Sequence, residues 1–418
     1  MKKITASLVG AGSRGTDAYA SYAIDHPNEI QFVAVAEPNI ERRERFKKLH
    51  NIPNDMCFES WEDLLNQPRL SDAVLICTQD RMHFQPTLKA LEKNYHILLE
   101  KPMSIDAKEC IILGEESQKH DVVFSICHVL RYTKFFSEIK KLLDDGRIGK
   151  LISIQHNENV GFFHQAHSFV RGHWRNSEES CPMILAKCCH DMDIISWLVG
   201  SECVDISSFG DLTLFKQESA PELAPKRCLD GCAIESECPY SAIRIYLGEK
   251  TEWPVSEISF DKSLEARTKA IEKGPYGRCV YYCDNNVVDH QVVNMKFKND
   301  VTVAFTMCAF TNEVTRTIKL MGSKGEIRGA MEKNEIEITD FITGNKILLL
   351  TEQSASGHSG GDEAIMRDFV SLVRNSNTSE GLTSAKMSVQ AHIMALAAEK
   401  SRLENRVINI NKFMNEFK

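Results

Sequence analysis

Ile4-Thr5-Ala6-Ser7-Leu8-Val9-Gly10-Ala11-Gly12-Ser13-Arg14-Gly15 is an apolar run of strand length that ends in a G-x-G-x-x-G pattern. The first glycine permits a tight turn, the second lets a pyrophosphate approach the backbone, and the third lets the next helix pack close to the strand. The helix N-terminus then favours the phosphate charge. Gly10, Gly12, Ser13, Arg14 and Gly15 are therefore expected to cradle a dinucleotide. A second apolar run, 31–36, ends on Glu37, roughly twenty residues beyond the glycines, where an acidic side chain accepts hydrogen bonds from both ribose hydroxyls of an adenosine. The same carboxylate repels a 2′-phosphate, so the pattern reads as NAD rather than NADP. Arg42 and Arg43 would favour NADP, but on a helix face they read as solvated.

Outward from this stretch the chain continues in the same style to about residue 130. Short apolar runs at 73–77, 96–99 and 122–127 alternate with amphipathic stretches such as 40–49 and 85–93. Short buried strands alternating with helices predict a doubly wound parallel sheet with right-handed crossovers, a Rossmann domain over 1–130. Beyond residue 150 the pattern changes. Runs at 151–160, 291–297, 301–308, 315–321, 326–329, 335–339 and 346–350 predict an antiparallel sheet with one face free to be wet, and Lys298-Asn299-Asp300 reads as a hairpin turn. Residues 362–374 and 384–405 return to helical periodicity. These define a second, α+β domain over 131–418. Residues 208–285, polar, irregular and rich in cysteine, read as an insertion within it.

Composition narrows the class of protein. The chain has 418 residues, 43% hydrophobic and 26% charged, a balance of soluble globular domains and not of disordered chains. No apolar run approaches the roughly 18 residues of a membrane span. Fifty basic against 58 acidic residues give a net charge of −8, which argues against a broad nucleic-acid-binding surface. Met1-Lys2-Lys3-Ile4 imitates the start of a signal peptide, but the apolar stretch after it is short and broken by Gly10, Gly12, Ser13 and Arg14, so it reads as a strand. The 14 cysteines are then expected as reduced thiols or metal ligands in a cytoplasmic protein.

Glu100-Lys101-Pro102 stands at the end of the 96–99 run, where open α/β sheets place ligands. A half-buried lysine beside a positive nicotinamide is expected to have a lowered pKa suited to proton transfer. Together with the glycine motif, three further stretches carry a resemblance: Thr78-Gln79-Asp80-Arg81-Met82-His83, Gly146-Arg147-Ile148-Gly149-Lys150 and Ala397-Ala398-Glu399-Lys400-Ser401. In these the chain resembles the Gfo/Idh/MocA oxidoreductases over nearly its whole length, the insertion excepted. The resemblance implies a Rossmann domain, a second domain with a large, open, mainly antiparallel sheet, a sugar-like or inositol-like polyol substrate and a homo-oligomer assembled through that sheet. It implies that Lys101 sits between cofactor and substrate, with Thr78, His83 and Glu100 at the cofactor.

The resemblance also places the family's catalytic histidine on His190, but the aspartate expected four residues earlier is Ala186. Asp193, on nearly the same helical face, is the carboxylate expected to hold the imidazole instead. Lys187 facing the pocket would favour an acidic substrate. His128 and Arg131, after the last parallel strand, and Trp174 and Arg175, in a segment crowded with His164, His167, Arg171 and His173, are further substrate-binding candidates. Asp362, in His358-Ser359-Gly360-Gly361-Asp362, reads as a helix N-cap. In the insertion, Cys228, Cys232, Cys238, Cys279 and Cys283 offer thiolates for a structural zinc, or for an iron–sulfur cluster, holding together a segment that lacks a core. The reading is an NAD-dependent dehydrogenase acting on a sugar-derived or cyclitol hydroxyl. Two alternatives remain open here: an NAD-retaining glycosidase or epimerase working by transient oxidation, and a non-catalytic NAD-binding regulator.

Overall fold

The computed structural model describes residues 3–352, 357–376 and 381–417; Met1 and Lys2 of the N-terminal reading lie outside it. The first sheet contains β1 (Ile4–Val9), β2 (Ile30–Ala36), β3 (Cys57–Phe58), β4 (Ala73–Ile76), β5 (His96–Leu99) and β6 (Phe124–Ile126). All pairs are parallel, in the order β3-β2-β1-β4-β5-β6. These strands are short apolar runs because helices cover both faces; β4 is buried along its whole length. The strand order reverses between β1 and β4, so the crevice beyond their carboxyl ends is the ligand position of such a sheet.

Among the described residues the second sheet has nine strands: β7 (Leu151–Asn159), β8 (Cys203–Asp211), β9 (His290–Phe297), β10 (Thr302–Cys308), β11 (Thr315–Gly322), β12 (Gly325–Ala330), β13 (Glu335–Asp340), β14 (Lys346–Leu350) and β15 (Ile408–Asn409). Their order is β14-β13-β12-β11-β7-β10-β9-β8-β15. Every neighbouring pair is antiparallel except β7 with β10. Along β9 and β10 buried and exposed residues alternate, since one face packs on helices and the other is open. The Cys189–Val199 and Ala385–Glu404 helices supply much of the covering layer.

Three features differ from the sequence expectations. β8 is a full strand, so the insertion begins after Asp211 and not at 208. The Gly361–Arg374 helix joins the core of the first domain, where Ile365, Met366, Phe369 and Val370 pack with Ile4, Leu8 and Phe32. The insertion does have a core, in two small parts. Cys228, Ala242, Tyr246, Val255 and Ile271 form one; Phe215, Tyr240, Val280 and Tyr281, with Ala166 and Val170, form the other. Among the described residues no helix is long and apolar enough to cross a membrane.

Candidate active site

The glycine turn has the geometry that a dinucleotide requires. Gly10 adopts φ +93°, and a Cβ there would lie 2.5 Å from the Cys77 carbonyl oxygen. A Cβ on Gly15 would lie 2.3 Å from the Gly10 oxygen, so close packing of turn and helix excludes a side chain. A Cβ on Gly12 would meet nothing within 4 Å, which leaves that flank open for phosphates. Glu37 closes the far side of the turn: its Oε2 accepts from the Ala11 amide at 2.8 Å and its Oε1 from the Asn39 amide at 3.0 Å. Each oxygen retains a lone pair for a ribose hydroxyl. Arg42 is exposed, but Arg43 is buried and donates to the Glu37 carbonyl and to Glu59, so it is not the solvated residue expected. Ser13 is exposed at the turn.

Arg14 is engaged by groups of the protein itself. Its Nε lies 2.7 Å from Glu100 Oε1 and its Nη2 2.8 Å from Asp362 Oδ1, so it ties the glycine turn to the end of β5 and to the Gly361–Arg374 helix. Glu100 also accepts from the Tyr19 hydroxyl and, through Oε2, from the Lys101 amide. Burial alone would raise the pKa of Glu100, but the charges of Arg14 and Lys101 hold it below its ordinary value. His83 is buried with its ring nitrogens 2.6 Å from the Pro102 oxygen and 3.0 Å from the Thr78 oxygen, joining the turns that follow β4 and β5. The Thr78 hydroxyl donates to the Met82 oxygen. These residues shape the lysine turn.

Lys101 is half-buried, and its Nζ donates to the Ala186 carbonyl oxygen at 2.8 Å. The ammonium meets the backbone at the position where the family's aspartate is missing. Trp174 lies beneath it, with Nζ 5.7 Å from the ring centroid. Trp174 is held by Asp80, whose Oδ2 accepts from Trp174 Nε1 at 2.9 Å and from Ser180 Oγ at 3.1 Å. Asp80 lies inside the Thr78–His83 motif but was not singled out from sequence. Burial acts to lower the pKa of Lys101, as expected, yet Cys189, Glu100 and Asp80 outweigh it and the pKa is raised. Lys101 is thus an ammonium at neutral pH, a hydrogen-bond donor and not a free base.

His190 is buried, and among the described residues its Nδ1 has no hydrogen-bond partner. Burial, reinforced by the Lys101 charge, pushes its pKa well below the ordinary imidazole value, so it is neutral. Asp193 does not hold it. That carboxylate accepts from Arg131 Nε at 2.7 Å and Nη2 at 2.6 Å, while Arg131 Nη1 donates to the Leu382 oxygen. Arg131, expected as a substrate-binding candidate, is buried with its donors engaged by Asp193 and Leu382. His128 is fully buried between His190 and His392, its ring centroid 6.1 Å and 5.3 Å from theirs. Lys187 Nζ lies 3.3 Å from Glu158 Oε1, and Glu158 also pairs with Arg316. The charge of Lys187 is matched from within the protein, which removes the reason to expect an acidic substrate. Arg175 is bound bidentately by Asp284, with both contacts at 2.8 Å, and faces the insertion.

The insertion does not contain the metal centre expected. Cys228, Cys232, Cys238 and Cys279 border one small cavity, but among the described residues no three His, Cys, Asp or Glu side chains are arranged to hold a metal ion. Cys228 Sγ accepts instead from the Ala242 amide and from Arg171 Nη2, and Cys283 Sγ donates to the Cys279 oxygen. The buried Arg171 guanidinium puts a positive charge beside the thiols. Arginines fasten the segment: Arg171 donates to the carbonyls of Arg278 and Tyr240, Arg227 to those of Ile271 and Gly274, and Arg267 to those of Tyr246 and Gly248. Neither zinc nor an iron–sulfur cluster is supported.

A glycine turn fitted to a dinucleotide, with Lys101 at the end of β5 hydrogen-bonded to the Ala186 carbonyl just before the His190 helix, defines a Rossmann fold joined to a second α+β domain. Comparison with known proteins makes the assignment specific. The model of the oxidoreductase family's NAD-binding Rossmann fold matches residues 4–128, and that of its C-terminal alpha/beta domain matches 140–410. The chain belongs to the Gfo/Idh/MocA oxidoreductase family. It is 21% identical over 344 residues to a putative oxidoreductase, YteT, of Bacillus subtilis, covering 78% of each chain. It is 26% identical over 209 residues to inositol 2-dehydrogenase of Corynebacterium glutamicum (strain R), covering 49% of this chain and 57% of that one. Among solved structures, levoglucosan dehydrogenase in complex with NADH and levoglucosan aligns with a TM-score of 0.72 at 16% identity, over 98% of this chain and 100% of the other. The scyllo-inositol dehydrogenase of Lactobacillus casei aligns with a TM-score of 0.67 at 18% identity, with the same coverage.

Proposed function

We propose that this oxidoreductase is an NAD-dependent dehydrogenase that oxidises a secondary hydroxyl of a sugar-derived or cyclitol substrate. The observation that carries the reading is Lys101: its ammonium stands at the carboxyl end of the sheet, hydrogen-bonded to the Ala186 carbonyl and near enough to His190 to lower that imidazole's pKa. Bound NAD supplies the hydride acceptor. The residues around it do the rest. Gly10, Gly12 and Gly15 admit the pyrophosphate, and Glu37 takes the adenosine ribose and disfavours a 2′-phosphate. Lys101 donates to the substrate oxygen and stabilises negative charge growing there, while neutral His190 hydrogen-bonds the same hydroxyl. Trp174, packed against Phe169 and His173, supports the Lys101 ammonium from below and adds apolar surface beside it. Relatives that are dehydrogenases of inositol and glucose 6-phosphate support a polyol substrate. The reading is tested by NADH absorbance with a panel of sugars, sugar acids and inositols: sustained NADH formation with at least one polyol is expected, and none across the panel contradicts it.

The open face of the nine-stranded sheet exposes Phe209, Val292 and Leu348. We assign that face to contact with a second copy of the chain in the cytoplasm, and sedimentation showing only monomer at micromolar concentration would contradict the assignment.

A further inference from the structure

A histidine that takes up a proton inside a protein needs a counter-charge, and among the described residues none is paired with His190. Among the described residues its buried Nδ1 has no partner, Asp193 is taken by Arg131, and position 186 carries no carboxylate. An imidazolium there would sit beside the Lys101 ammonium uncompensated. A second imidazole at the cleft is built differently. The His358 ring centroid lies 5.9 Å from that of His190. His358 Nδ1 lies 3.1 Å from both Asp362 Oδ1 and Oδ2. An ionised carboxylate only accepts, so Asp362 fixes the proton on Nδ1 and leaves the lone pair on Nε2. The contact of the same Nδ1 with Arg14 Nη1, at 3.5 Å, is then not a hydrogen bond. The His358 side chain is 36% exposed, whereas that of Asp362 is 5% exposed.

We propose that His358 is a catalytic residue of this site: its Nε2 accepts the proton of the substrate hydroxyl that is oxidised, and Asp362 positions the ring. The inference rests on the dehydrogenase reading above. In the step, the substrate O–H bond breaks, its electron pair stays on oxygen, and the proton forms a new N–H bond on Nε2. The imidazolium is stabilised by Asp362, which remains ionised. Lys101 and His190 meanwhile hold the oxygen. The groups facing His358 act in both directions: Asp362 favours its charged form, while Arg14 and Lys187 oppose it, and His190 beside it is neutral. Although the side chain is partly exposed, desolvation by the protein packed around it is the largest effect and leaves the ring below the ordinary imidazole value, so it is a free base at neutral pH. Arg14 holds Asp362 from its other side and is itself paired with Glu100, so the dyad is braced against the turn that carries Lys101.

The test uses the full-length chain with NAD and the polyol that the parent protein oxidises. His358→Gln should lower kcat by about 100-fold, the scale of a lost general base. NAD affinity should stay within about twofold, and the acid limb of the kcat/KM profile should be lost. Asp362→Asn should lower kcat less, by about tenfold, because the ring remains but its tautomer is no longer fixed. Independently of turnover, nitrogen NMR of labelled histidine in the cofactor-free parent should show His358 protonated at Nδ1. A His358→Gln protein with kcat within about twofold of the parent and an unchanged pH profile overturns the proposal, as does a proton found on Nε2. If the parent oxidises no polyol, the dehydrogenase reading itself fails and the proposal falls with it; normal turnover in both proteins removes His358 alone.

Discussion

The cleft around Lys101 and the cysteine-rich insertion both gather reactive side chains, and they use them in opposite ways. In the insertion the polar groups are consumed locally. Arg171, Arg227 and Arg267 spend their donors on backbone carbonyls, Cys228 accepts from an amide, and Arg175 and Arg278 share Asp284. In the cleft the polar groups come from distant parts of the chain, brace one another and leave functional atoms free. Arg14 fastens Glu100 and Asp362, Asp80 fastens Trp174, and the imidazoles of His190 and His358 remain neutral. The difference teaches that a cluster of chemically capable residues becomes a site only when a second layer of contacts is satisfied without occupying the groups that must act.

Substitutions in the two regions should therefore separate by readout, and the cleft should give the larger effects. Lys101→Ala is expected to lower kcat by about 100-fold or more, the scale of a lost acid–base group, with NAD affinity nearly unchanged; steady-state kinetics and a binding titration decide it. His190→Ala should fall in the same range. Normal turnover in both variants would move the chemistry elsewhere and erase the contrast. The pH profile sharpens it further. Lys101 is raised and the two imidazoles are lowered, so the active form has a protonated lysine and neutral imidazoles. Oxidation should hold a plateau through neutral pH, fall in acid below the ordinary imidazole value and fall again in alkali as Lys101 loses its proton.

Glu37→Ala comes next in size. Loss of charge-assisted hydrogen bonds should weaken NAD binding by about tenfold, corresponding to ~1.4 kcal/mol, and relax the preference against NADP. Equal affinity of the unsubstituted protein for both cofactors would contradict the argument. In the insertion the smallest kinetic effect is expected. Arg227→Met leaves the carbonyls of Ile271 and Gly274 without their donor and should cost about 1–3 kcal/mol of stability, seen as a lower melting temperature with kcat preserved. A chelator should leave that melting temperature unchanged. A large drop on chelation would show that metal, and not arginine, holds the segment.

What the sequence made legible follows from range. The glycine motif, Glu37 and the strands at 4–9 and 96–99 are local signals, since a buried parallel strand must be a short apolar run and a tight turn must be glycine. β8 was not anticipated because Cys203-Val204-Asp205-Ile206-Ser207-Ser208-Phe209 mixes polar residues on its wet face with few apolar ones. The second layer of the cleft was hidden for a different reason. Arg14 and Asp362 are 348 positions apart, and nothing local distinguishes Asp362 from a helix N-cap. The expected lowering of the Lys101 pKa failed similarly, because Cys189 and Asp80, distant in sequence, are brought to it by the fold and add to the adjacent Glu100. The zinc expectation failed because cysteine spacing cannot reveal that the neighbouring arginines already satisfy the turns.

The most direct test of the central claim is to follow the hydrogen. A polyol that the protein consumes, deuterated at the carbon bearing the reacting hydroxyl, is incubated with NAD, and the reduced cofactor is analysed by mass spectrometry. The account predicts NADH that carries the deuterium, formed by the parent protein and reduced by about 100-fold in rate in Lys101→Ala. Deuterium retained in a rearranged or cleaved sugar with no net NADH would contradict it and point to transient oxidation instead.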